Sequence, residues 1–126
     1  MKKNKIEKIF LIDKEKFRCS LIEMSLKIHG LETYSSQCTQ DCFFFIEDIK
    51  PDILLVDIES INYNEKFPFL EKIQKNDIIN KIPIVGIGEL SDIELLEKAN
   101  FILMANITRP ISPQHLAIKI EEIITS

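Results

Sequence analysis

Tryptophan is missing from this chain of 126 residues, and glycine, cysteine and histidine are scarce, at three, three and two. With so little glycine and only five prolines, fibrous and low-complexity classes are excluded. A content of 45% hydrophobic and 29% charged residues is that of a globular domain. The cysteines are odd in number in a chain expected in a reducing compartment. Cys38 and Cys42 would share a helix face, but a metal site needs about four ligands, and His29 and His115 stand at no ligand spacing. Buried small side chains are the expected role of the cysteines. Long apolar runs are also absent. After the basic start Met1-Lys2-Lys3-Asn4-Lys5, the next stretch is broken by Glu7 and Lys8 and reaches only Ile12. That is too short for a secretory h-region or a membrane span, so a cytoplasmic protein with no membrane partner is expected. A net charge of −4, with Lys and Glu mixed along the chain, offers no clustered basic face for nucleic acid.

What the chain has instead is a regular alternation of apolar runs and helical stripes. Residues Ile6 to Ile12 are apolar and β-prone, and the run stops at Asp13. Phe17, Leu21, Met24 and Ile28 follow at spacings of four, three and four, which predicts a helix with that stripe buried and Gly30 as its C-cap. Leu31 to Ser35 makes a short second strand. Thr39 then caps a helix whose inner face is Cys42, Phe45, Ile46 and Ile49, ended by Pro51. Ile53 to Val56 is a third strand, closed by Asp57. Beyond the polar stretch from Glu59 to Lys66, a third helix carries Phe67, Leu70 and Ile73, with Pro68 in its first turn. Ile82 to Ile87 is the fourth strand, and Ser91-Asp92-Ile93-Glu94 has the form of a capping box opening a fourth helix. Phe101 to Ala105 is the fifth strand. Ser112 and Pro113 open a last helix that buries Leu116, Ile120 and Ile123.

The pattern is β-α five times over without internal repeats or linkers, so one domain over residues 1–126 is expected. Strands this apolar, alternating with helices, imply an α/β fold: a doubly wound, five-stranded parallel sheet with helices on both faces. Such sheets present their site at the carboxyl ends of the strands. Asp13, Asp57, Gly88 and Arg109 stand at those ends, so two carboxylates and a guanidinium converge on one rim.

With these features, and over essentially its whole length, the chain resembles the receiver domain of response regulators in two-component signalling. Phe10-Leu11-Ile12-Asp13 matches the family's first strand and its acidic end. Lys50-Pro51-Asp52-Ile53-Leu54-Leu55-Val56-Asp57-Ile58 matches the third strand with the acceptor aspartate. Ile82-Pro83-Ile84-Val85 matches the fourth strand, and Arg109-Pro110-Ile111 stands where the family has Lys-Pro. The resemblance implies a flavodoxin-like (βα)5 fold, and a chemistry in which a carboxylate attacks a phosphoryl group while Mg²⁺ neutralises the developing charge. By the same resemblance Asp57 is the candidate phosphoacceptor. Asp13, Asp57 and the backbone carbonyl of Glu59 are candidate Mg²⁺ ligands. Gly88 falls on the Thr/Ser position and Arg109 on the lysine position that bind the phosphoryl oxygens.

Five departures surround that pocket. The second acidic position is Lys14, the hydroxyl is lost at Gly88, and the lysine is replaced by Arg109, which keeps the charge and changes the geometry. The aromatic position of the fifth strand falls on Asn106. The Met-Pro and Gly that follow the acceptor in many members are absent from Ile58 to Lys66. The Lys14 ammonium is expected either to pair with Asp57 as a surrogate for Mg²⁺, locking the pocket in one state, or to point to solvent. Gly88 either permits a tight turn or leaves space for the longer arginine.

Two functional readings follow. In the first, the chain is a degenerate pseudo-receiver, a signal-transduction module acting by protein–protein interaction with weak or no Mg²⁺-dependent phosphorylation. In the second, it is an atypical but working response regulator, phosphorylated on Asp57 by a histidine kinase or phosphotransfer protein. The resemblance places the partner (kinase, phosphotransfer protein or downstream effector), and any homodimer, on the face of the fourth helix, fifth strand and fifth helix. Ile93, Asn106, Ile118 and Lys119 are its candidate contacts. An enzyme is not expected, because Asp13-Lys14-Glu15-Lys16 is no phosphate-cradling glycine loop and the strand ends carry no Ser-His-Asp or Cys-His set.

Overall fold

A computed structural model describes residues 8–37, 42–61, 66–98 and 100–125. The strands β1 (Lys8–Ile12), β2 (Glu32–Ser36), β3 (Ile53–Asp57), β4 (Ile84–Gly88) and β5 (Ala105–Thr108) form one sheet in the order β2-β1-β3-β4-β5. All four pairings are parallel. The helices are α1 (Lys16–Ile28), α2 (Cys42–Ile49), α3 (Lys66–Lys75), α4 (Leu90–Lys98) and α5 (Pro113–Thr125). The doubly wound architecture expected from the sequence is the observed one.

Alternation along the strands builds two cores, because successive side chains of a pleated strand face opposite ways. Ile9 and Leu11 of β1 join Cys19, Ile22 and Leu26 of α1 and Leu116, Ala117 and Ile120 of α5. Phe10 and Ile12 point the other way, to Cys42 and Ile46 of α2, Leu70 and Ile73 of α3 and Leu96 of α4. β3 is buried along its whole length, as an apolar strand covered on both faces must be. Among the described residues, no helix is long and apolar enough to cross a membrane.

Helix ends follow the sequence. Gly30 has φ 83°, the Leu31 N–H donates to the Leu26 carbonyl at 3.1 Å, and the Gly30 N–H donates to that of Lys27 at 2.9 Å. This pair of bonds closes α1 in a Schellman motif. Ser112 Oγ accepts from the His115 N–H at 3.1 Å, with Pro113 at the first position of α5. Cys19 and Cys42 are buried as expected, while Cys38 and Thr39 lie outside the described residues.

Other expectations are corrected. The stripe Phe17, Leu21, Met24 and Ile28 does not face the sheet: Phe17, Met24 and Ile28 are 71%, 58% and 78% exposed, and Leu21 is half-buried. α1 turns Cys19, Ile22 and Leu26 inward instead. Both stripes have helical spacing, so periodicity alone does not choose between them. Arg18 lies one and two turns before Ile22 and Leu26, and its anchoring at the rim (below) holds that side of the helix against the sheet. On α2, Phe45 is exposed while Ile46 is buried. α4 begins one residue before Ser91, with the Glu89 carbonyl accepting from the Ile93 N–H at 3.2 Å. The fifth strand starts at Ala105: the apolar run before it is irregular chain from which Phe101 and Leu103 pack against the core while Ile102 and Met104 are exposed. There Leu103 Cδ1 lies 3.0 Å from where a Cβ on Gly86 would stand.

Register aligns the carboxyl ends. Ile12 pairs with Val56, so Asp13 and Asp57 leave the sheet side by side. Gly88 pairs with Thr108, which brings Arg109 to the same rim.

Candidate functional site

Asp13 and Asp57 have no exposed surface. Burying two adjacent carboxylates is costly unless their oxygens find donors, and here all four do. Arg18, in the first turn of α1, forks onto Asp13, with Nε donating to Oδ2 and Nη2 to Oδ1, both at 2.8 Å. The same Nη2 donates to Asp57 Oδ2 at 2.6 Å, so one guanidinium nitrogen bridges both acids. Arg109 approaches Asp57 after β5, donating from Nη1 to Oδ1 at 2.8 Å and from Nη2 to Oδ2 at 3.1 Å. Its Nη1 also meets Glu59 Oε1 at 3.1 Å. In the turn after β3, Ser60 Oγ lies 2.9 Å from Asp57 Oδ2 and 3.3 Å from Asp13 Oδ1, and accepts from the Lys14 N–H at 2.9 Å. The Glu15 N–H donates to Asp13 Oδ1 at 2.9 Å and the Glu59 N–H to Asp57 Oδ1 at 3.2 Å.

Two guanidiniums therefore face two buried carboxylates, with Glu59 at the mouth. Burial by itself pushes the Asp13 carboxyl up. No single contact outweighs this, but the hydrogen bond from Arg18, the Glu15 N–H and the charges of Arg18 and Arg109 together do, and hold Asp13 below its ordinary 3.8. The hydrogen bond to Asp13 in turn raises the Arg18 guanidinium further above its ordinary value.

Of the residues singled out in the sequence, Asp13, Asp57, Arg109 and Glu59 come together, Glu59 through its N–H and carboxylate. Lys14 joins only through its backbone. Its side chain is exposed: of the two placements expected for it, solvent is the one found, and the cation shared by Asp13 and Asp57 is Arg18 instead. The reason is direction: side chains in the first turn of a helix lean back towards its N-terminus, which aims Arg18 at the rim. The space left by Gly88 goes to Ile58, whose Cβ would stand 3.3 Å from a Cβ there, rather than to Arg109. Asn106, Ile118 and Lys119 are exposed on β5 and α5, but Ile93 is buried and is no contact residue.

Arg18 and Ser60 were not anticipated. One signal for Arg18 lies in the composition: of 16 basic residues only Arg18 and Arg109 are arginines, and both meet at Asp57. Planar, bidentate pairing with a carboxylate is what arginine does and lysine does not.

Mg²⁺ requires near-octahedral oxygen ligands at about 2.0–2.1 Å and usually keeps several waters. Between Asp13 and Asp57 that place holds the Arg18 guanidinium, and the carboxylate oxygens already accept hydrogen bonds. As arranged, the residues do not fit the ion.

No family model matches the chain, and no curated protein does. Solved structures do. The chain is similar to the chemotaxis response regulator CheY4 of Vibrio cholerae (TM-score 0.77, 14% identity, 94% of this chain and 98% of that one). A response regulator from Thermotoga maritima gives a TM-score of 0.75 at 15% identity, over 96% and 99% of the chains. The receiver domain of NtrX from Brucella abortus gives 0.73 at 21%, over 94% and 98%. The chain has the fold of response-regulator receiver domains, and at these identities the likeness speaks for the fold.

Proposed function

We propose that this chain is a receiver-type signalling module that works through protein–protein contact, its carboxylate pocket held shut rather than switched by Mg²⁺-dependent phosphorylation of Asp57. One observation carries the reading: the Arg18 guanidinium stands between Asp13 and Asp57, where a cation shared by the two acids would have to sit. An attacking carboxylate needs an open lone pair and a path of approach. The oxygens of Asp57 instead accept from Arg18, Arg109, Ser60 and the Glu59 N–H. Withdrawing either arginine breaks charge-assisted bonds to a fully buried acid. The module is read as a non-enzyme whose partner is a kinase, a phosphotransfer protein or an effector.

Amide NMR during titration with Mg²⁺, then with beryllofluoride, tests the reading. No saturable shift in the millimolar range is expected. Saturable shifts at Asp13, Asp57 and Gly88, spreading to Asn106, would instead make Asp57 a working acceptor, the reading that its place at the end of β3 favours.

A further inference from the structure

We propose that the cleft at the amino ends of β4 and β5 binds a small molecule with an apolar body and a single anionic head, such as an alkyl or aryl carboxylate. The cleft lies at the opposite end of the sheet from the carboxylate rim, so this inference stands apart from the reading of that pocket. Its volume is about 650 Å³, within the range of about 300–1,000 Å³ in which proteins hold small ligands.

The cleft follows from the way β5 begins. Leu70 and Ile73 of α3, both buried in the core, line one side together with Ile84 at the start of β4. The other side is the irregular chain from Phe101 to Met104, tied to the sheet where the Met104 N–H donates to the Ile84 carbonyl at 2.8 Å. That chain is neither strand nor helix, and it passes α3 without packing closed against it. Faults in a native core are seldom larger than a water molecule. A cleft of this size with apolar walls has the dimensions of a ligand site instead.

The polar groups set the class of ligand. Lys81 is the one charged residue that lines the cleft, and no acid lines it. Among the described residues its ammonium has no ion pair, so its charge is open to a ligand. The N–H groups of Ile102 and Leu103 likewise find no acceptor among the described residues. The uncharged polar side chains are Gln74, Asn80 and Asn100, and Asn80 Nδ2 already donates to the Gln74 carbonyl at 3.3 Å. One cation and spare N–H donors beside apolar walls complement one carboxylate on an apolar body. A cationic ligand would meet Lys81 as a like charge. A phosphorylated one, with its higher charge, would find a single cation to answer it.

Amide NMR titration of the chain with octanoate, and with octanol as its uncharged counterpart, tests the proposal, each kept below the concentration at which it aggregates. Saturable shifts at Leu70, Ile73, Phe101 and Leu103 are expected with octanoate, and weaker binding with octanol. Lys81 and Ile102 are exposed at the edge of the cleft, so Lys81→Gln and Ile102→Asp should leave circular dichroism and melting temperature unchanged. Lys81→Gln should weaken octanoate by about tenfold and leave octanol as it was. Ile102→Asp, which brings in a negative charge, should weaken octanoate more than octanol. Octanoate that gives no saturable shift, or shifts only residues away from the cleft such as those of α1, overturns the proposal. Octanol that binds as tightly as octanoate, with Lys81→Gln changing neither, also overturns it, and leaves a cleft for neutral apolar molecules.

Discussion

At the rim of the sheet, charged side chains from the ends of β1, β3 and β5 and from α1 satisfy one another, while on the outer side of α1 Phe17, Met24 and Ile28 stay more than half exposed. The two regions touch in sequence, since Phe17 lies in solvent and Arg18, next to it, reaches under the helix to both buried acids. The contrast shows which demand fixed the rotation of the helix. Turning α1 to bury the Phe17 stripe would gain about 1.5–3 kcal/mol per side chain. It would give up the burial of Ile22 and Leu26 and leave Asp13 and Asp57 without the shared guanidinium, a penalty of several kcal/mol per ion. The rim wins because an unpaired buried charge costs more than an exposed hydrophobe.

The sharpest way to break this comparison is Asp57→Ala. It leaves Arg18 and Arg109 facing each other across an empty acid, and urea unfolding should show a loss of about 3–5 kcal/mol. A loss under about 1 kcal/mol would mean that the rim is solvated and does not hold α1.

Arg18→Met keeps the length and removes the charge. It should cost about 3 kcal/mol or more, and part of that should return when Mg²⁺ or Mn²⁺ is added, because a divalent cation can then bridge the freed carboxylates. Melting temperatures with and without metal check this: a rise in the variant and none in the wild type is expected. An equal response in both would remove Arg18 as the reason the pocket excludes metal.

Acid gives a third, gentler probe. Asp13 has a folded-state pKa below its ordinary 3.8. Its contribution to stability is therefore complete above the ordinary carboxylate range and is lost as the pH falls from there through the folded value. Urea midpoints followed from about pH 5 to about pH 2 should fall, and Asp13→Asn should flatten that slope.

Gly88→Ala forces Ile58 to yield a few tenths of an ångström, and overpacking of this size should cost about 1–2 kcal/mol. Lys14→Ala sits at the bottom of the scale, with a change within about 0.5 kcal/mol in the same assay. A larger loss would return Lys14 to the pocket.

Much of the site was legible in the sequence because it lies at strand ends, and a strand end is a local feature. Asp13 and Asp57 each close an apolar run, and Arg109-Pro110 follows the fifth strand at a fixed distance. Arg18 was not legible that way: it stands 39 residues from Asp57, inside a helix whose two stripes are equally periodic. The rarity of arginine among the basic residues pointed to it, but only once the rim was known to need a bidentate donor. Ser60 lay in a polar stretch with nothing in its neighbours to mark it.

The order of strands and helices, the parallel sheet and the gathering of Asp13, Asp57, Gly88 and Arg109 on one rim were determined by sequence alone, through apolar periodicity and the residues that end each run. Tertiary structure decided which face of α1 is buried, which cation bridges the two acids, and where β5 begins. Those outcomes depend on whether groups far apart in sequence come within hydrogen-bonding distance in a dry rim, where an unmet charge costs more than any local preference can offset.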